Sequence, residues 1–182
     1  MQAYAADATD ERAVTRMIAE VESELGPISL LVYAVQNSAR GSVLTTEVSA
    51  FEDCWRDNCL GAFIVAREAA RRMTTRGAGT IVLCGATSGT IGRKGYVNFA
   101  IGKFGLRALA QVMARELGPQ GVHVVHVVID ADITETNEDD GEPHTRPEDL
   151  AELFWLLHEQ PKSCWTSELD VRPSNEVFWE HC

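Results

Sequence analysis

Basic residues are scarce in this sequence: 16 Lys and Arg stand against 27 Asp and Glu, leaving a formal net charge of −11. That balance disfavours nucleic acid and anionic membranes as partners, because both repel a polyanion. Long apolar runs are missing too. None approaches the roughly 20 residues that a bilayer-spanning helix needs, and Met1-Gln2-Ala3-Tyr4 has neither the basic start nor the apolar stretch of a secretory leader. There is no CxxC pair, and the five cysteines (Cys54, Cys59, Cys84, Cys164, Cys182) are odd in number. Free thiols in a reducing, cytoplasmic setting are therefore expected, rather than disulfides or a metal site.

What is present is an ordinary globular composition of 182 residues, 45% hydrophobic and 24% charged, enough for one domain with a real core. A strand-then-helix rhythm runs along it. Residues 2–6 suit a short strand. Residues 9–25 have helical periodicity, with Asp7 or Thr9 as cap and Gly26-Pro27 as stop. Residues 28–35, 80–85 and 122–129 are apolar runs that suit strands buried on both faces. Residues 49–73 read as one long helix, 96–117 as another ended by Gly118-Pro119, and 147–160 as an amphipathic helix. Residues 169–172 suit a last short strand. Alternating strands and helices predict an α/β fold: a mostly parallel sheet with helices on both faces. Residues 130–142 depart from the average, with seven carboxylates and no Lys or Arg. They read as a solvated loop, or as a flap that would repel phosphate and favour a neutral or cationic ligand.

A set of ordered motifs covers residues 2–172. Ala6-Asp7-Ala8-Thr9-Asp10 carries a D-x-x-D. Leu31-Val32-Tyr33-Ala34-Val35-Gln36 ends an apolar strand. Asn58 sits in Asp57-Asn58-Cys59-Leu60-Gly61, a Ser/Thr-rich loop follows the strand from Ile81, and Lys103 ends Phe99-Ala100-Ile101-Gly102-Lys103. Together these resemble the short-chain dehydrogenase/reductase family. The resemblance implies a Rossmann-like, three-layer fold. It implies that Asp7 is the residue that meets adenine, that Asn58 completes the family's proton relay, and that Lys103 is the lysine of Tyr-x-x-x-Lys. It also implies NAD(P) chemistry, and a homodimer formed through the two long helices.

Against that pattern, three departures fall on the same chemistry. The Tyr position is Phe99, and the family serine, thirteen residues earlier, is Ala86. A phenyl ring and a methyl group move no proton, and loss of a general acid typically costs ~10²–10⁴ in rate. Ala34 and Gln36 stand where the family has a second asparagine and a glycine, so a Gln side chain intrudes beside the cofactor's adenosine. The Gly-rich turn that admits a dinucleotide pyrophosphate at a helix N-terminus is absent, because the sequence starts near the third strand of the family scheme. A single domain lacking the first βαβ unit is expected, with residues 2–6 left at an exposed or re-paired sheet edge.

The residues left for chemistry are few. Lys103, on the inner face of a helix, is either a depressed amine serving as base or nucleophile, or a structural ammonium on backbone carbonyls or Asn58. Tyr96 lies seven residues, about two turns, before it and shares its helix face. Thr87 and Ser88 supply hydroxyls after a parallel strand, where open α/β sheets bind ligands. Asp130 and Asp132 follow another strand at the same edge, where the resemblance implies a nicotinamide-contacting Pro-Gly. His123 and His126 point to opposite faces of one strand and make poor metal co-ligands. Trp155, Trp165 and Trp179 are expected to pack. The expected site is therefore Lys103, Asn58, Thr87 and Ser88 for catalysis, with Phe99, Tyr96, Ala86, Asp130 and Asp132 lining a small-molecule pocket. No cofactor and no metal are expected, and Asp7 is a remnant. A non-redox step (isomerisation, cyclisation or elimination) leads; a residual NAD(P)-dependent oxidoreductase and a non-catalytic subunit are the alternatives.

Overall fold

Two β-branched runs form the centre of a parallel sheet in the computed structural model, which describes residues 2–135 and 144–176. All eight residues of one run are buried, and its neighbour is buried at seven of eight positions. Numbered along the chain, the strands are β1 (Leu30–Tyr33), β2 (Gly79–Ala86), β3 (Val122–Ile129), β4 (Asp132–Ile133), β5 (His144–Thr145) and β6 (Glu168–Val171). The main sheet runs β1-β2-β3-β6, every pair parallel; β4 and β5 form a separate two-stranded ribbon. Parallel strands need crossovers, and helices supply them. These are α1 (Glu11–Leu25), α2 (Val48–Trp55), α3 (Gly61–Arg76), α4 (Val97–Leu117) and α5 (Pro147–His158).

The sheet's two faces bury separate cores. Ile81, Leu83, Val122 and Val124 pack with Val14 and Ile18 of α1, Ala62, Ala66 and Met73 of α3, and Leu106 and Ala110 of α4. Val82, Cys84, Val125 and Val127 pack on the other face with Leu150 and Leu157 of α5. Alternation along β2 and β3 produces this division. The result is the three-layer α/β arrangement expected from the sequence. His126 and His123 fall on opposite faces by the same alternation. His123 stacks on Trp165 with centroids 4.8 Å apart, whereas His126 bonds Glu168. No helix among the described residues is long and apolar enough to cross a membrane.

Several boundaries differ from the sequence reading. Residues 2–6 form no strand, so β1 is the sheet edge. As an edge strand β1 is four residues long and mostly half-buried, instead of an eight-residue run covered on both faces. Asp10, not Asp7 or Thr9, caps α1, because its carboxylate reaches the amides of Arg12 and Ala13 at 2.8 and 3.1 Å. Asp7 closes the turn before it, accepting from the Thr9 amide and hydroxyl. The long helix at 49–73 is two α-helices joined by a π turn, Arg56–Leu60. Trp165 packs, with its indole N–H on the Gln160 carbonyl, but Trp155 is exposed on α5. Cys54, Cys59, Cys84 and Cys164 are free thiols, as expected. Trp179, Cys182 and the acidic residues Glu138, Asp139, Asp140 and Glu142 lie outside the described residues.

Candidate functional site

Because the main strands are parallel, the loops that leave them gather at one edge. Two adjoining cavities lie there, of about 320 and 430 Å³. Gln36, Ile129, Ala131 and Asp132 line both, which makes them two chambers of one cleft. The first holds Ala86, Thr87, Ser88, Tyr96, Phe99 and Asp130; the second holds Cys84, Gly85 and Lys103. Sequence reasoning therefore named residues that the fold does bring together, with Asn58 and Asp7 set apart from the lining.

Lys103 occupies the inner wall and is 1% exposed. Its Nζ donates to the Cys84 carbonyl at 3.0 Å and lies 5.6 Å from the centroid of the Phe99 ring. Among the described residues no carboxylate pairs with it. Burial therefore pulls its pKa from 10.5 to about 8. The same burial pushes the Cys84 thiol up to about 11, against the pull of the lysine charge. Phe99 and Ala86 pack together with Cys54, and Tyr96 leans on that cluster. Where the resemblance implies two hydroxyls, the structure has an apolar contact.

Asn58 is fully buried in the π turn. Its amide nitrogen donates to the Asn37 and Cys54 carbonyls at 2.7 and 2.9 Å, and its Oδ1 accepts from the Asn37 amide at 3.4 Å. A π turn shifts the backbone ladder by one residue, and here the side-chain amide satisfies the carbonyl four residues back. Gly102 of α4 crosses directly over this point: a Cβ there would sit 2.9 Å from the Asn58 Cβ. Asn58 thus clamps the loop after β1, and no direct bond links it to Lys103, one of the two structural partners the sequence left open.

The loop hydroxyls and carboxylates are also engaged. Thr87 accepts from Arg172 at 3.2 Å, and Arg172 also pairs with Asp130, Asp170 and Glu176. Thr87 and Asp130, both read from the sequence as residues of the pocket, are thus held by a cation from beyond β6. Ser88 sits on the same 3₁₀ turn without that tie. Asp132 belongs to the β4–β5 ribbon and is exposed. The Tyr96 ring carries the Arg40 guanidinium, 4.8 Å from its centroid.

Sequence reasoning missed four residues. Asn37, Arg40, Arg93 and Arg172 all bear on the cleft. The Arg93-Lys94 pair was the available signal, a basic step in a glycine-rich loop of an acidic chain. A positioned chain of three side chains was also missed. Buried His126 contacts Glu168 at 3.0 Å, and Arg107 grips the same carboxylate at 2.6 and 2.8 Å. Burial holds the His126 pKa below its ordinary value although Glu168 opposes it. Gly85 makes room for that ring: a Cβ there would lie 2.1 Å from His126 Nε2.

A parallel sheet with helices on both faces and a cleft at its carboxyl edge define a Rossmann-like α/β domain. A family model described as short chain dehydrogenase matches residues 1–143, so the chain belongs to that family. It is 37% identical over 122 residues to a short-chain dehydrogenase/reductase of Armillaria gallica, covering 65% of this chain and 46% of that one. It is 35% identical over 116 residues to the 3-oxoacyl-[acyl-carrier-protein] reductase MabA of Mycobacterium avium, covering 64% and 46%. Among solved structures, a short-chain dehydrogenase from Rhodopseudomonas palustris superposes with a TM-score of 0.82 at 35% identity, covering 94% of this chain and 74% of that one. The chain thus spans about half the length of the curated relatives it matches.

The described residues do not by themselves fit a dinucleotide. Asp7 spends its carboxylate on Thr9, Gln36 projects into the cleft lining, and β1 has no further strand beside it. Among the described residues no glycine-rich turn leads from a strand to a helix N-terminus where a pyrophosphate would rest.

Proposed function

We propose that this domain binds a small organic molecule in the cleft above Lys103 and promotes a non-redox proton transfer, of the kind that underlies isomerisation, cyclisation or elimination. One observation carries the reading: the titratable group at the heart of the cleft is a buried amine with a pKa of about 8, set against a phenyl ring. A base poised near the working pH is what proton abstraction needs. Phe99 and Ala86 shape an apolar wall, and Ser88 supplies a hydroxyl for orientation. The test has two arms. Calorimetric titration with NAD and NADP should show no micromolar binding. Deuterium exchange at the α-carbon of bound carbonyl compounds, followed by NMR, should rise with pH around 8 and vanish in Lys103→Met. Micromolar dinucleotide binding would overturn the reading.

The family's usual NAD(P) chemistry supports a second reading, a residual oxidoreductase. Lys103 and Asn58 are retained, and MabA of Mycobacterium avium is named a reductase. Under this reading the remainder of the cofactor site comes from outside these residues. Transfer of label from NADPH to a carbonyl panel would favour it. A third reading, a non-catalytic partner subunit, draws on Phe63 of α3 and Ile101, Phe104 and Val112 of α4, all 40–52% exposed. We propose that these helices pair across a dimer axis or with an intact dehydrogenase; a monomer by light scattering at micromolar concentration would refute homodimerisation.

A further inference from the structure

The cleft has a cationic end that the proton-transfer chemistry does not use. Arg93 lies in the loop before α4 and lines the first chamber. Its Nε and Nη2 are buried and have no hydrogen-bond partner. These two nitrogens form one edge of the guanidinium plane, a fork whose spacing matches the two oxygens of a carboxylate. The molecule uses that same edge three times elsewhere. Arg107 presents Nε and Nη2 to Glu168 at 2.8 and 2.6 Å, Arg146 to Asp149 at 3.0 and 2.6 Å, and Arg172 to Asp170 at 2.6 and 3.2 Å. Among the described residues, Arg93 has the fork and lacks the acid.

A second guanidinium stands in the same lining. Arg40 is held on the face of Tyr96 and forms no salt bridge among the described residues. Asp130, Asp132 and Glu176 also line the chamber. Arg172 pairs with Asp130, Asp170 and Glu176, and Asp132 is exposed. The lining thus holds two guanidiniums, Arg93 and Arg40, that no described carboxylate meets. Phe99 and Ala86 give the same lining an apolar patch. Covering a cation without a counter-charge is costly, and an incoming carboxylate offsets that cost. The loop has room to adjust: a side chain at Gly92 would meet open space, and Gly95 holds a φ of +84°.

We infer that Arg93, supported by Arg40, is the recognition site for the carboxylate of a small organic acid whose apolar body lies against Phe99 and Ala86. This rests on the same cleft as the proposed function and narrows its substrate class. It differs from the neutral or cationic ligand that the flap reading of residues 130–142 favoured.

Isothermal titration with 3-phenylpropanoate and its primary amide provides the test, since the two probes share shape and differ in the charge offered to the fork. The parent should bind the acid at least roughly tenfold more tightly than the amide, as expected for a charge-assisted pair of hydrogen bonds. Arg93→Gln should abolish that preference and leave amide binding unchanged. Arg93→Lys, which keeps the charge without the fork, should retain part of it. Equal affinity for acid and amide, an undiminished preference in Arg93→Gln, or no binding of either probe would overturn the assignment. So would tighter, Arg93-dependent binding of phenyl phosphate, which would mark a phosphate site. Lys103→Met should leave the acid preference intact, so failure of the base and failure of the anion site are read separately.

Discussion

Replacing Lys103 by methionine should stabilise the protein at neutral pH, and the gain should disappear in alkali. The lysine is 1% exposed, with a single described acceptor, the Cys84 carbonyl at 3.0 Å. Its pKa falls from 10.5 to about 8 because burial disfavours the charged form. At ~1.4 kcal/mol per tenfold change in proton affinity, that depression corresponds to roughly 3 kcal/mol. The sign follows from proton counting. Below about pH 8 both folded and unfolded chains hold the proton, and the folded state bears the full cost of a buried charge. Between about 8 and 10.5 the unfolded chain binds the extra proton, so stability rises with pH. Above that window the cost is gone. Methionine keeps the unbranched, apolar stem and forfeits the hydrogen bond, a loss of about 1 kcal/mol. Lys103→Met should therefore be more stable by ~2 kcal/mol at pH 7, a rise of roughly 4–8 °C in Tm for a chain of this size, and slightly less stable than the parent above pH 10.5. The assay is urea unfolding of both proteins from pH 6 to 10.5. Cys84, whose thiol titrates near 11 when folded, is common to both and largely cancels in the difference. A variant destabilised at pH 7, or a difference that does not change with pH, would refute the reasoning.

Three further outcomes are expected. Phe99→Tyr with Ala86→Ser restores both missing hydroxyls yet should yield no hydride transfer from NADPH, because the described residues present no turn that would hold its phosphates; turnover in a coupled absorbance assay would favour the oxidoreductase reading. Gly85→Ala should cost ~2–3 kcal/mol by overpacking, since its Cβ would meet the His126 ring at 2.1 Å with that ring pinned by Glu168. In a double-mutant cycle with His126→Ala, most of that penalty should be relieved, and simple additivity would count against the contact. Asn58→Ala leaves the Asn37 and Cys54 carbonyls without a buried donor and should cost ~2–4 kcal/mol, measured by thermal unfolding, with the loop after β1 losing hydrogen-exchange protection.

The layered fold was legible because apolar runs at 80–85 and 122–129 and three helical periodicities are local signals. Their strength comes from burial on both faces, which the sequence writes as unbroken Val, Ile and Leu. The run at 28–35 misled for the same reason: an apolar run does not say whether a neighbouring strand covers its outer edge. The π turn at Arg56–Leu60 was not legible, because inserting one residue into a helix leaves the composition unchanged, and its contact with α4 at Gly102 is made only in space.

At the site, the chain alone determined what chemistry is missing. Phe99 and Ala86 carry no titratable proton in any fold, and spacing sufficed to find them. Tertiary structure decided what the remaining groups are. Lys103 becomes a candidate base because burial, not sequence, removes its water and withholds a carboxylate. Thr87 and Asp130 are committed because Arg172 arrives from a strand more than forty residues further along the chain. Arg93 stands out only once the forks of Arg107, Arg146 and Arg172 are seen to hold carboxylates in space, since pairing of charges is a property of distances that no reading of residue order contains.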